Sequence, residues 1–125
     1  MNVPDGLLYN SSHEWLRLEG DIATVGITDH AQEELTDVVF VELPAIGRQV
    51  DAGDPTAVVE SVKAASDIYS PLAGEVVAVN AEVESEPALV NTDPYGRGWI
   101  FQLRLKDPSS VSALMSAEDY KTILS

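Results

Sequence analysis

Pro44-Ala45-Ile46-Gly47-Arg48-Gln49-Val50 returns 27 residues later as Pro71-Leu72-Ala73-Gly74-Glu75-Val76-Val77, with its Pro, Gly and final Val in register. Pro and Gly ahead of a β-forming run read as a turn feeding a short strand. At the same offset Gly53 aligns with Asn80, both residue types tolerant of left-handed backbone. The pattern suggests two similar strand-turn units related by a pseudo-twofold axis, with residues 54–70 joining them. The alternative is coincidence, because Pro and Gly mark turns in any β protein.

The rest of the chain is punctuated in the same way. Trp15 to Leu18 and Ile22 to Ile27, on either side of Glu19-Gly20-Asp21, predict an antiparallel hairpin. Asp29 with Gln32 offers a capping pair for a short helix over Ala31 to Leu35, with Thr28 as the competing cap. Val38 to Leu43 is β-branched and apolar until Pro44 to Gly47 stops it, and Thr56 to Ser61, Asp67 to Ser70 and Glu75 to Asn80 continue the strand pattern. After an acidic segment, Trp99 to Leu105 alternates. Trp99, Phe101, Leu103 and Leu105 point to the core, and Ile100, Gln102 and Arg104 point away. From Asp107-Pro108 onward, small residues with Leu114 and Met115 suggest a helical turn, and Ser116 with Asp119 can cap a last helix carrying Tyr120, Ile123 and Leu124. At 125 residues a strand-rich body with a helical end fits one domain.

Charge narrows the partners. Seven Lys and Arg stand against 21 Asp and Glu, a net charge of −14. This argues against nucleic acid, whose phosphates require cations to displace their counterions, and against anionic membranes. No cysteine is present, which excludes disulfides, thiolate metal sites and a Cys nucleophile and suits a reducing cytoplasm. Met1 to Gly6 has neither a basic region nor an apolar core, and apolar runs such as Val38 to Val41 fall far short of the ~18 residues of a membrane helix. His13-Glu14 and Asp29-His30 contain ligand and proton-carrier types, but their spacing fits no metal motif, and surface or packing roles explain them.

Lys63 is the unusual residue. It is one of three lysines and sits in Glu60-Ser61-Val62-Lys63-Ala64-Ala65-Ser66-Asp67, between two expected strands. Hairpin tips ordinarily use Gly, Asn or Asp to reach φ > 0, and none is present between Ser61 and Ala65. Two readings follow from the residues: a solvated turn lysine, or an amine presented between side chains too small to obstruct a modifying enzyme. Such an enzyme must supply the base, because only a neutral amine is acylated.

Glu60 to Pro71 resembles the lipoylation segment of the glycine cleavage system H protein family. The resemblance extends through Ser12-His13-Glu14-Trp15, Val25-Gly26-Ile27-Thr28-Asp29, Asp37 to Pro44 and Asn91 to Trp99, in order over almost the whole chain. It implies a mainly β fold, a biotinyl/lipoyl-type hybrid-motif barrel sandwich with an added N-terminal hairpin, a short helix and C-terminal helices. The lipoyl-type core would span about 36–105 and the helical tail about 108–125 of a single domain over 1–125. It also implies lipoate in amide linkage to Lys63, no catalysis by the chain itself, and a cytoplasmic monomer. The implied partners are lipoate-attaching enzymes and three enzymes of glycine cleavage. Those three are the pyridoxal-phosphate glycine decarboxylase, the tetrahydrofolate-dependent aminomethyltransferase and the FAD enzyme dihydrolipoamide dehydrogenase. Ser12, Glu14 and Asp67 would form a polar cradle for the aminomethyl cargo, the alternative being ordinary solvated positions. A biotin carrier is disfavoured because such carriers resemble Met-Lys-Met where Val62 and Ala64 flank Lys63. A carrier that relays lipoate to other complexes would present the same lysine.

Overall fold

The computed structural model describes residues 1–124, so Ser125 of the expected tail lies outside the described residues. Among the described residues nine strands form two antiparallel sheets. They are β1 (Leu8–Tyr9), β2 (Glu14–Glu19), β3 (Ile22–Ile27), β4 (Val38–Glu42), β5 (Gln49–Val50), β6 (Pro55–Ser61), β7 (Ala65–Tyr69), β8 (Gly74–Val79) and β9 (Phe101–Leu105). One sheet has the order β1-β2-β3-β9-β8-β5 and the other β4-β6-β7. The expected N-terminal hairpin is β2–β3, turned at Gly20 with φ 64, and it joins the larger sheet through β9.

The two copies of the seven-residue pattern pair with each other. Gln49 lies opposite Glu75 and Val50 opposite Gly74, so a local twofold relates them, as for any antiparallel pair of like segments. Their glycines answer different constraints. Gly47 has φ 94, whereas Gly74 is required by close approach, since a Cβ there would sit 2.5 Å from the Arg104 carbonyl oxygen. The equivalence of Gly53 and Asn80 fails in backbone conformation. Gly53 has φ 88, but Asn80 has φ −92 and caps helix α2 (Ala81–Ser85), its side chain accepting from Glu82 N–H.

Thr28, not Asp29, caps helix α1 (Asp29–Leu35), its hydroxyl accepting from Ala31 N–H. Within the acidic segment lie α2 and the single turn α3 (Leu89–Thr92), anchored by buried Val83, Leu89 and Val90. Hydrophobic anchors six and seven residues apart hold these turns despite their length. The alternation of β9 holds for Phe101, Leu103 and Leu105, all buried, and fails ahead of the strand. Ile100 is fully buried in the main core, where the alternation pointed it outward, and Trp99 packs instead in a second cluster. In the tail, the helical turn is a 3-10 helix at Pro108–Ala113, and Met115 pairs with Tyr9 in a β-bridge. Ser116 caps the last helix, α4 (Ala117–Leu124), through Asp119 N–H.

The main core fills the space between the sheets, with Leu16, Val25, Val41, Val59, Val76 and Leu103 among its buried side chains. The second cluster joins Leu7, Tyr9, Trp15, Ala117 and Tyr120 and fastens α4 to the N-terminal strands. Strand β2 lies between the two clusters, with Leu16 in one and Trp15 in the other. Its first residues are therefore covered on both faces, and this is why Glu14 is buried.

Candidate functional site

Lys63 stands at the tip of the β6–β7 hairpin, in which Val59 pairs with Ser66 and Glu60 with Ala65. It is exposed, and its amine has no hydrogen-bond or ion-pair partner among the described residues. The turn is closed by Ser61, whose N–H donates to Ala64 O at 2.8 Å. Its hydroxyl accepts from Ala64 N–H at 3.1 Å and Lys63 N–H at 3.3 Å. No residue of the tip has positive φ, which explains how it dispenses with glycine. A serine two residues before a lysine in a glycine-free turn was a sequence signal for this arrangement.

A further contact ties the tip to the body. Val62 N–H donates to Asp37 O at 3.1 Å. Asp37 belongs to the tight link between α1 and β4, where Thr36 has φ 63. Asn91 of α3 braces that link: its amide donates to Thr36 O at 2.7 Å and its carbonyl accepts from Val38 N–H at 2.8 Å.

Ser12, Glu14 and Asp67 line one cleft of about 160 Å³, together with His13, His30 and Glu34. Strand β7 supplies one wall; the 10–14 turn and α1 supply the other. The three residues differ in character. Glu14 is only 2% exposed, its Oε1 accepting from Ser12 Oγ at 2.5 Å and Asn10 Nδ2 at 3.2 Å. Burial raises its pKa above the usual carboxylate range, and hydrogen bonds from Ser12, Asn10 and the Tyr69 backbone partly offset that rise. A solvated role for Glu14 is therefore excluded. Ser12 and Asp67 are exposed, and the Asp67 carboxylate has no partner among the described residues.

The histidines are packing and hydrogen-bonding residues. Their rings lie 4.5 Å apart, and His13 Nδ1 is 2.7 Å from the Tyr120 hydroxyl, which in turn is 2.8 Å from Thr28 Oγ1. His13 has φ 74, and its carbonyl accepts from Thr28 N–H at 3.0 Å. Burial first, then the neighbouring His30, holds its pKa below the ordinary value. This network fixes the turn that carries Ser12 and Glu14. Sequence reading missed it, because Tyr120 and His13 are 107 residues apart and nothing local marks their contact. Asp93-Pro94-Tyr95-Gly96 forms a turn, with Gly96 N–H donating to Asp93 O at 3.1 Å. It also receives the Trp15 indole N–H on Pro94 O at 2.9 Å.

An exposed lysine on a braced hairpin tip, with a cleft holding a buried carboxylate along the same hairpin, is the arrangement expected of a carrier of the lipoyl type. The model of the glycine cleavage H-protein family matches residues 7–125, and the chain belongs to that family, the lipoyl carriers of the glycine cleavage system. It is 59% identical to the glycine cleavage system H protein of Pseudoalteromonas translucida, covering 95% of this chain and 93% of the relative. It is 56% identical to that of Aeromonas hydrophila, covering 98% and 96%. A crystal structure of a glycine cleavage system H protein from Mycobacterium marinum matches with TM-score 0.89 at 38% identity, over 98% of each chain. The two sheets are those of the lipoyl-type barrel sandwich.

Proposed function

We propose that Lys63 carries lipoate in amide linkage and that the chain, catalysing no step itself, passes the aminomethyl group of glycine between enzymes. The group would be received from the pyridoxal-phosphate glycine decarboxylase and delivered to the tetrahydrofolate-dependent aminomethyltransferase, with reoxidation by dihydrolipoamide dehydrogenase. The observation that carries this reading is the unpartnered amine of Lys63 on a glycine-free turn at the hairpin tip. Lys106 and Lys121 are also exposed, but one follows β9 and the other lies on α4, so exposure alone does not select the site.

The residues fit the group. Small Ala64 and Ala65 leave the amine accessible on one side of the tip, and Val62 points into solvent at 69% exposure. Lipoate supplies a strained disulfide that accepts electrons and a carbon fragment, chemistry unavailable to ordinary side chains. Lys63 on a rigid hairpin confines that chemistry to a reachable volume and raises its effective concentration at a docked partner. The chain has no cysteine of its own to exchange with it.

Glu14, with Ser12 and Asp67, would hold the cationic amine of the cargo. Burial makes ionised Glu14 costly, so this carboxylate gains most from an arriving cation. Asp67 is exposed and contributes only ~0–1 kcal/mol. The carrier would act as a cytoplasmic monomer, with a lipoyl-type core about 36–105 and a tail about 108–125; one domain over 1–125 is supported by the cluster that both sheets share, which also takes in Leu16, Val25 and Ile27. Intact mass after expression with lipoate, followed by peptide mapping, tests the attachment. Lipoate found on Lys106 or Lys121 and absent from Lys63 would overturn it. Glycine decarboxylation with the partner enzymes then separates this role from relay to other complexes.

A further inference from the structure

At the reversal Ser61-Val62-Lys63-Ala64, one side chain reinforces the backbone bond from Ser61 N–H to Ala64 O. A serine hydroxyl has one donor and two acceptor positions, and the turn occupies all three. It accepts from Lys63 N–H at 3.3 Å and from Ala64 N–H at 3.1 Å, and donates to Ala64 O at 3.1 Å. The remaining tip amide, Val62 N–H, is taken by Asp37 O at 3.1 Å, on the link braced by Asn91. Every backbone N–H from Ser61 to Ala64 therefore has a fixed acceptor, although the tip is exposed.

We propose that Ser61 is a positioning residue for acylation of Lys63, its hydroxyl holding the turn in the conformation that the lipoate-attaching enzyme engages. The inference rests on the reading of Lys63 as the lipoylated residue. In the acylation, the carboxyl carbon of an activated lipoyl group bonds to Nζ, the activating group leaves with its electron pair, and the amine proton passes to a base on the enzyme. Ser61 takes no part in those bonds. It lowers the cost of docking, because a tip already ordered loses less backbone freedom on binding. Freezing one residue corresponds to a roughly five- to thirtyfold loss in affinity, so a fall in kcat/KM of about fivefold or more is expected when the hydroxyl is removed.

Ser61→Thr and Ser61→Val make the test, since they differ by a hydroxyl against a methyl on the same branched frame. The full chain is presented to a purified lipoate ligase with lipoate and ATP, and kcat/KM is measured with the carrier varied. Each variant is also acetylated with a small N-hydroxysuccinimide ester, and backbone amide exchange is followed by NMR. Val at position 61 should slow ligation about fivefold through KM and speed exchange at Lys63 and Ala64. Thr should behave as the parent, and chemical acetylation of Lys63 should be equal in all three. Equal ligation of the Val variant and the parent, or a Thr variant as slow as the Val one, overturns the role of Ser61. A parent chain left unmodified at Lys63 overturns instead the reading on which it rests.

Discussion

Replacing Gly26 with Ala should expose how firmly the site's foundation is packed. Gly26 lies directly opposite Trp15 in the β2–β3 ladder, and a Cβ there would sit 2.6 Å from Trp15 Cζ2 and 2.7 Å from Cε2 and Nε1. The ring has little freedom to retreat. It is fully buried, its N–H is bonded to Pro94 O, and the Arg17 guanidinium lies 5.0 Å from its centroid. Overpacking of this kind costs ~1–3 kcal/mol. Between the size classes of small and medium domains, that corresponds to a fall in Tm of about 3–15 °C. Urea unfolding followed by Trp fluorescence should show a lower midpoint with an unchanged m-value. A double-mutant cycle with Trp15→Leu should be non-additive by ~0.5–2 kcal/mol, because the smaller side chain makes room for the new methyl group. Destabilisation under ~0.5 kcal/mol, or strict additivity in the cycle, would refute the view that Trp15 is held in place by its partners.

Lys63→Arg should fold within ~0.5 kcal/mol of the parent and take up no lipoate, because guanidinium keeps the charge without an acylatable amine; intact mass reads this directly. The exchange Val62→Lys with Lys63→Val should keep the fold and lose most of its lipoylation by mass spectrometry, since adjacent positions aim their side chains differently. Glu14→Gln in the lipoylated, aminomethyl-loaded carrier should speed spontaneous loss of the cargo by about tenfold, the effect of a charge-assisted hydrogen bond worth ~1.5 kcal/mol; Asp67→Asn should change it less than threefold, and equal decay in all three proteins would remove the cradle. Glu14 also sets a pH trend in the unloaded protein. Its folded pKa is raised, so the native state holds the proton longer, and stability falls as pH rises from the ordinary 4.5 through the folded value; chemical denaturation of Glu14→Gln across that window should show a flatter profile.

Most of the sheet was legible because its signals are local. Gly20 between two β-rich runs, Pro44 after Val38–Leu43, and the Phe101–Leu105 alternation each act within a few residues. What escaped was set by packing over distance. Ile100 lies next to a strand whose alternation assigned it outward, yet it is buried because its N–H bonds to Val25 O and fixes the approach to the core. Asn80 shares its offset with Gly53 but spends its side chain on Glu82 N–H and on the carbonyls of Arg97 and Trp99. Those bonds need no left-handed backbone, so residue type at a repeat position did not determine conformation. The helices of the acidic segment were hidden by their surface charge, since only Val83, Leu89 and Val90 face inward.

The site divides along the same line. Lys63 stood out among its neighbours, because a glycine-free tip with a lysine is anomalous as a turn, but those neighbours left a solvated lysine open and the family resemblance favoured the presented amine; Ser61 shows why the turn is possible. Glu14 was visible only as a residue type. Its burial arises because β2 begins between two hydrophobic clusters, one completed by Tyr120 of the last helix. Through the Tyr120 hydroxyl that helix also restrains His13 and Thr28, which bracket the turn and the start of α1 that wall the cleft. The lysine therefore depends on the hairpin and its brace at Asp37, whereas the carboxylate depends on contacts spanning nearly the whole chain. A change in the C-terminal helix should disturb retention of the cargo while leaving attachment at Lys63 intact, since among the described residues the hydrogen bonds of α4 run to His13, Thr28 and Ser116 and none to the tip.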